Sequence, residues 1–100
     1  MTEEVRLTWK KARKCRVVNS VVAYKGAWYC QISDWLLVIR DHTDDDDYAY
    51  WIASHALATI EGGPDEPSVL AAQVGCEAFL RQHMPRLWKK GLANAKRRDR

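Results

Sequence analysis

Apolar and polar positions alternate over EVRLTWKK, with Val5, Leu7 and Trp9 on one side, which predicts a short half-buried strand. A basic stretch from Lys10 to Arg16 follows. From Arg16 to Tyr24 the chain is rich in β-branched residues, and Lys25-Gly26 then supplies a hairpin turn before a further strand over Ala27 to Ser33. The run WLLVIRD, Trp35 to Asp41, is apolar without alternation, as a strand covered on both faces or lying mid-sheet requires. YAYWIAS, Tyr48 to Ser54, pairs with it as a second hairpin whose tip is the polar run His42 to Asp47. Side chains of a strand alternate faces, so Tyr48, Tyr50 and Ile52 share one side while Ala49, Trp51 and Ala53 share the other. One side is expected to pack on a helix and the other to present a tyrosine surface. His55 to Ile60 either extends this strand or starts another.

The period changes after Glu61-Gly62-Gly63-Pro64, which ends the sheet, and Asp65-Glu66-Pro67-Ser68 starts a helix with acids near the positive end of its dipole. On a helical wheel Val69, Ala72, Cys76, Phe79, Leu80 and His83 fall within one apolar arc, while Gln73, Glu77, Arg81 and Gln82 lie outside it. That phase predicts an exposed Glu77 whose replacement by alanine costs under about 0.5 kcal/mol. Gly75 is a weak point inside the helix, at a cost of about 1 kcal/mol relative to alanine. Met84-Pro85 interrupts, and Pro85 opens a second, short helix carrying Leu87, Trp88 and Leu92. The elements define an α+β fold: an antiparallel sheet of three to five strands, one amphipathic helix from Ser68 to His83 packed on a face, and a short basic C-terminal helix. A single compact domain is expected over 1–92 and a basic tail over 93–100.

Composition bounds what this fold can do. A chain of 100 residues makes one domain, with one core and little room for a deep catalytic cleft. Its five tryptophans exceed the needs of such a core, so some are expected at a contact surface. MTEEVRLTWKK has charges where a signal peptide needs an apolar run, and no segment approaches the length that spans a bilayer, so a cytoplasmic protein without a membrane partner is expected. Cys15, Cys30 and Cys76 are odd in number, far apart and without CxxC spacing, the pattern of free thiols in a reducing compartment. The net charge of +3 hides a segregation: residues 1–16 carry six Lys/Arg against two acids, residues 17–84 three against ten, and residues 85–100 seven against one.

The acidic run Asp44, Asp45, Asp46, Asp47 is the sharpest local feature. It is either a solvated hairpin tip or a patch that meets a basic partner or mimics nucleic-acid phosphate. It lacks the Gly and the bidentate Glu of a calcium loop. His42, His55 and His83 stand at no zinc-ligand interval with one another or with a cysteine. GxSxG, Walker-type, GxGxxG and HExxH motifs are absent, so neither an enzyme nor a cofactor is expected. The basic ends interleave aromatics with cations, as stacking on bases and neutralising phosphates requires: Trp9, Lys10, Lys11, Arg13, Lys14 and Arg16, then Trp88, Lys89, Lys90, Lys96, Arg97 and Arg98. Terminal cations also keep a small domain soluble, and the acidic centre repels phosphate.

The strand Tyr50-Trp51-Ile52, then Ala58, a Gly-containing loop, Ser68 and a helix with Ala72, Cys76 and Leu80 every fourth residue resemble many small phage- and prophage-encoded proteins over about residues 28 to 82. Such proteins are frequently host-directed binders, anti-CRISPR proteins among them, and the resemblance implies no catalytic residue. The expected function is therefore a non-catalytic interaction protein, a phage-type inhibitor that binds a host protein or nucleoprotein complex through Asp44 to Asp47, Tyr48 and Tyr50. The alternative is a small nucleic-acid-binding module built on the basic ends. A third class is an enzyme or a toxin–antitoxin component.

Overall fold

In the computed structural model, which describes residues 6–18, 21–55 and 60–98, the apolar run after Trp35 lies mid-sheet. The elements in chain order are β1 (Lys10–Lys11), β2 (Arg16–Val18), β3 (Val21–Ala23), β4 (Trp28–Ile32), β5 (Trp35–His42), β6 (Tyr48–His55), β7 (Ile60–Gly62), α1 (Val69–His83) and α2 (Pro85–Arg98). Strands β1-β4-β5-β6-β7, in that spatial order, form one antiparallel sheet of five strands, and β2 pairs with β3 in a separate ribbon. β5 is central because both of its faces are apolar: Leu36, Leu37, Val38 and Ile39 are all fully buried. Ser33 and Asp34 form the two-residue turn into β5, with Ile32 opposite Trp35. Ser33 takes a left-handed φ of 56°, a conformation that glycine adopts without a Cβ penalty. Ser33→Gly is expected to raise stability by about 1 kcal/mol, read as a higher denaturation midpoint.

Strand alternation separates two cores. Towards the helices, Cys30, Ile32, Leu37, Ile39, Trp51 and Ala53 pack with Leu7, Ala72, Cys76, Leu80 and Trp88. On the opposite face Tyr29, Leu36 and Val38 pack with Ala12 and Ala23, which the chain around the β2–β3 ribbon supplies. Ser68 caps α1, its hydroxyl accepting from the Ala71 N–H at 3.0 Å, and Ala72, Cys76 and Leu80 face the sheet with no exposure.

Five details depart from the sequence pattern, and one more, the separate strand β7, is an alternative that the pattern left open. Residues 6–9 form no strand: Leu7 and Trp9 do turn inward, but against the helix layer, and ladder pairing begins only at Lys10; Val5 lies outside the described residues. The stretch from Arg16 to Tyr24 folds back on itself as β2 and β3, so the Lys25-Gly26 turn leads into β4 without pairing β4 to β3. β6 ends at His55 and a separate strand, β7, begins at Ile60; residues 56–59, with Ala58, lie outside the described residues. Glu77 is not exposed but 4 % accessible, because the N-terminal segment lies along α1 and covers it. His83 leaves the apolar face for solvent, its ring resting on Phe79 with centroids 4.8 Å apart. α2 continues past Leu92 to Arg98, since its buried stripe passes through Gly91 and Ala95, small residues that hydrophobic patterning overlooks. Among the described residues no helix is long and apolar enough to cross a membrane.

Candidate functional site

The β5–β6 hairpin outruns its neighbours. β4 begins at Trp28, opposite Ile39, yet β5 and β6 stay paired as far as His42 and Tyr48. The turn 43–47 therefore projects beyond the rest of the sheet. Asp41 holds its start, accepting from the Thr43 hydroxyl at 2.6 Å and the Thr43 N–H at 3.0 Å. Those hydrogen bonds hold the Asp41 carboxyl below its usual range, helped by the charges of His42 and Lys11. Asp47 takes the left-handed conformation, φ 57°, that lets the turn close without glycine, and all four aspartates are exposed. Asp65 joins this acidic end, because the loop before α1 bridges back to β6 through the paired Ala49–Glu66 backbone bonds of 2.8 and 2.7 Å. Burial, followed by the carboxylates of Asp46 and Asp65, raises the Tyr48 phenol above its ordinary value.

Beside this end, on the sheet face away from the helices, runs a strip of aromatic rings. Tyr48 and Tyr50 lie on one face as expected, with rings 13° from parallel, and His42, the cross-strand neighbour of Tyr48, stacks on it with centroids 4.8 Å apart. Arg40 stands opposite Tyr50 and sets its guanidinium 5.2 Å over the ring of Tyr24, which is 62 % exposed. The strip Tyr24, Arg40, Tyr50, Tyr48, His42 thus draws on three separate segments. Sequence patterning found only the two tyrosines of β6; the one cue to the rest was that Arg40 and His42 share a face by strand alternation.

The cations proposed for nucleic acid divide. Lys10, Lys11, Arg13 and Lys14, joined by Lys25 from the turn before β4, line an open hollow of about 1090 Å³. Lys90 instead lines a second hollow of about 540 Å³ at the other end of the sheet, with Arg86, Trp35, His55 and Asp34. Lys89 is exposed on α2. The aromatics assigned to bases are engaged in packing. Trp88 is buried beneath the Arg81 guanidinium, 5.4 Å from its ring, and half-buried Trp9 donates its Nε1–H to Glu77 at 3.4 Å. The side chains of Arg16, Lys96, Arg97 and Arg98 lie outside the described part of the structure.

Burial pushes the Cys30 thiol up to about 12, the Glu77 charge adding to it, and raises Cys76 as well, which disfavours the thiolate form of both. Cys15 is exposed. Among the described residues no group of three or more His, Cys, Asp or Glu side chains converges to hold a metal ion. Comparison of the chain with family models, curated proteins and solved structures finds no match, and so nothing that links it to phage-encoded proteins.

Proposed function

We propose that this chain is a non-catalytic interaction module that binds a protein through the hairpin end of its sheet. The observation that carries this reading is the strip of Tyr24, Arg40, Tyr50, Tyr48 and His42 beside the projecting aspartates. Tyrosine and arginine are among the residues in which binding energy concentrates, tyrosine because its rigid ring buries a large area at little entropic cost and arginine because its planar fork offers several donors. Here they are held in one orientation by mutual stacking before any partner arrives, which lowers the ordering cost of association. The aspartates at the rim favour a basic partner surface, such as a groove that otherwise holds nucleic acid, and act mainly on the rate of encounter. A phage-type inhibitor of a host nucleoprotein complex is the narrower form of this proposal, and it rests on the sequence resemblance alone.

Quantitative affinity capture from nuclease-treated bacterial lysate tests the reading, with wild type and variants side by side. A partner that depends on this face should lose about thirtyfold in affinity with Tyr50→Ala. Changing Asp44 to Asp47 to Asn should leave the fold intact, Asn being equally at ease in the left-handed Asp47 position, while slowing association about tenfold at low salt. A captured protein that binds both variants as it binds wild type would rule this face out.

A further inference from the structure

The hollow at the start of β4 owes its charge to chain crossing, not to a run of sequence. β1 pairs with β4 through Lys10–Tyr29 and Lys11–Trp28, and the pairing is extended by Ala12 N–H to the Ala27 carbonyl and Gly26 N–H to the Ala12 carbonyl, both 2.8 Å. Ala12 is buried on the face opposite the helices, so residues 13–15 arch outward from a fixed point. Gly26, at φ 91°, makes the facing turn that brings Lys25 to the same hollow. Five exposed cations therefore line one concavity around the β1 edge, Lys10 and Lys11 from opposite faces of the ladder, and among the described residues no acidic side chain lines it. None of the five forms an ion pair with a described residue, although Lys11 stands within electrostatic reach of Asp41. Trp28 lines the hollow with the half of its surface that the helix-side core leaves uncovered, the Lys11 ammonium 5.9 Å over its ring.

We infer that this hollow is a binding site for single-stranded nucleic acid, with Lys10, Lys11, Arg13, Lys14 and Lys25 on the phosphates and Trp28 as the aromatic platform. Like charges gathered in a concavity repel one another and create a positive field that a polyanion relieves. Cations tracking a backbone beside an aromatic ring are what sequence-tolerant strand binding uses. A single strand fits better than a duplex, because the hollow is of pocket size and the projecting aspartates at the same end repel the phosphates of a wider ligand. The site shares no residue with the protein-binding strip, and it replaces the two basic ends of the sequence with one hollow that omits α2.

Fluorescence anisotropy of a short labelled oligothymidylate tests this. Wild type should bind at low salt, with log affinity falling against log salt at a slope near −3.5 for five phosphates. The triple substitution Arg13→Ala, Lys14→Ala, Lys25→Ala, all exposed and outside the ladder, should weaken binding about a hundredfold and reduce the slope by about 2. Lys89→Ala with Lys90→Ala should leave affinity unchanged. The oligonucleotide should also protect Cys15, which borders the hollow, from alkylation, while buried Cys30 and Cys76 stay unmodified as a check of the fold. The Asp44 to Asp47 Asn variant, impaired towards a protein partner, should bind the oligonucleotide more tightly, so the two readings can fail independently. Absence of binding at low salt, or binding that survives the triple substitution, overturns the inference. So does a low-salt dimer in sedimentation that excludes the oligonucleotide, since the hollow would then hold the acidic hairpin of a second copy.

Discussion

Replacing Glu77 by alanine is expected to lower stability by about 2–4 kcal/mol, far more than an exposed helix position costs. Its carboxylate accepts from Arg6 Nε at 2.8 Å, from the Leu7 N–H at 3.1 Å and from Trp9 Nε1 at 3.4 Å. Removing it strands a buried backbone donor and frees the segment that seats Leu7 against the helices. Arg6 keeps access to water, its side chain 28 % exposed, so its unpaired charge adds less than a fully buried one would. Denaturant titration measures the loss, and amide exchange at Leu7 locates it. The loss also reaches the basic hollow, because residues 6–9 lead directly into β1. Oligonucleotide affinity should fall in the alanine variant without any change in the cations themselves. A stability loss under about 0.5 kcal/mol would mean that residues 6–9 do not dock on α1.

Two glycines flank the indole of Trp51, and alanine at each is expected to act in opposite directions. A Cβ at Gly63 would fall inside the ring, and the ring cannot yield, being 3 % exposed and packed on Phe79 with centroids 4.8 Å apart. Gly63→Ala should therefore cost about 3 kcal/mol, the upper part of the usual range for overpacking. At Gly75 the nearest indole atoms stand 3.7 Å from an added Cβ, an ordinary contact. Gly75→Ala then gains helix propensity without strain and should raise stability by about 1 kcal/mol. Denaturation midpoints of the two variants, with the near-ultraviolet dichroism of the tryptophans, check both. Equal and small effects would show that Trp51 is not wedged between the loop and α1.

The local period of the sequence was enough for the β5–β6 hairpin, for the common face of Tyr48, Tyr50 and Ile52, for the Ser68 cap and for the sheet-facing stripe of Ala72, Cys76 and Leu80. Each depends on neighbours a few residues away, since strand alternation and helical spacing follow from backbone geometry alone. What depends on distant segments was decided by the tertiary structure. Glu77 reads as a solvent-facing acid until Arg6, 71 positions away, lies beside it. Trp9 and Trp88 read as stacking surfaces until the helix layer encloses them. Lys25 joins the N-terminal cations, Arg40 meets Tyr24, and Asp65 reaches the acidic end only because the chain returns to the same place in space. A charged side chain prefers water and is buried only where a partner compensates it, and an aromatic one accepts either setting, so which of them stay at the surface is decided only when the segments are assembled.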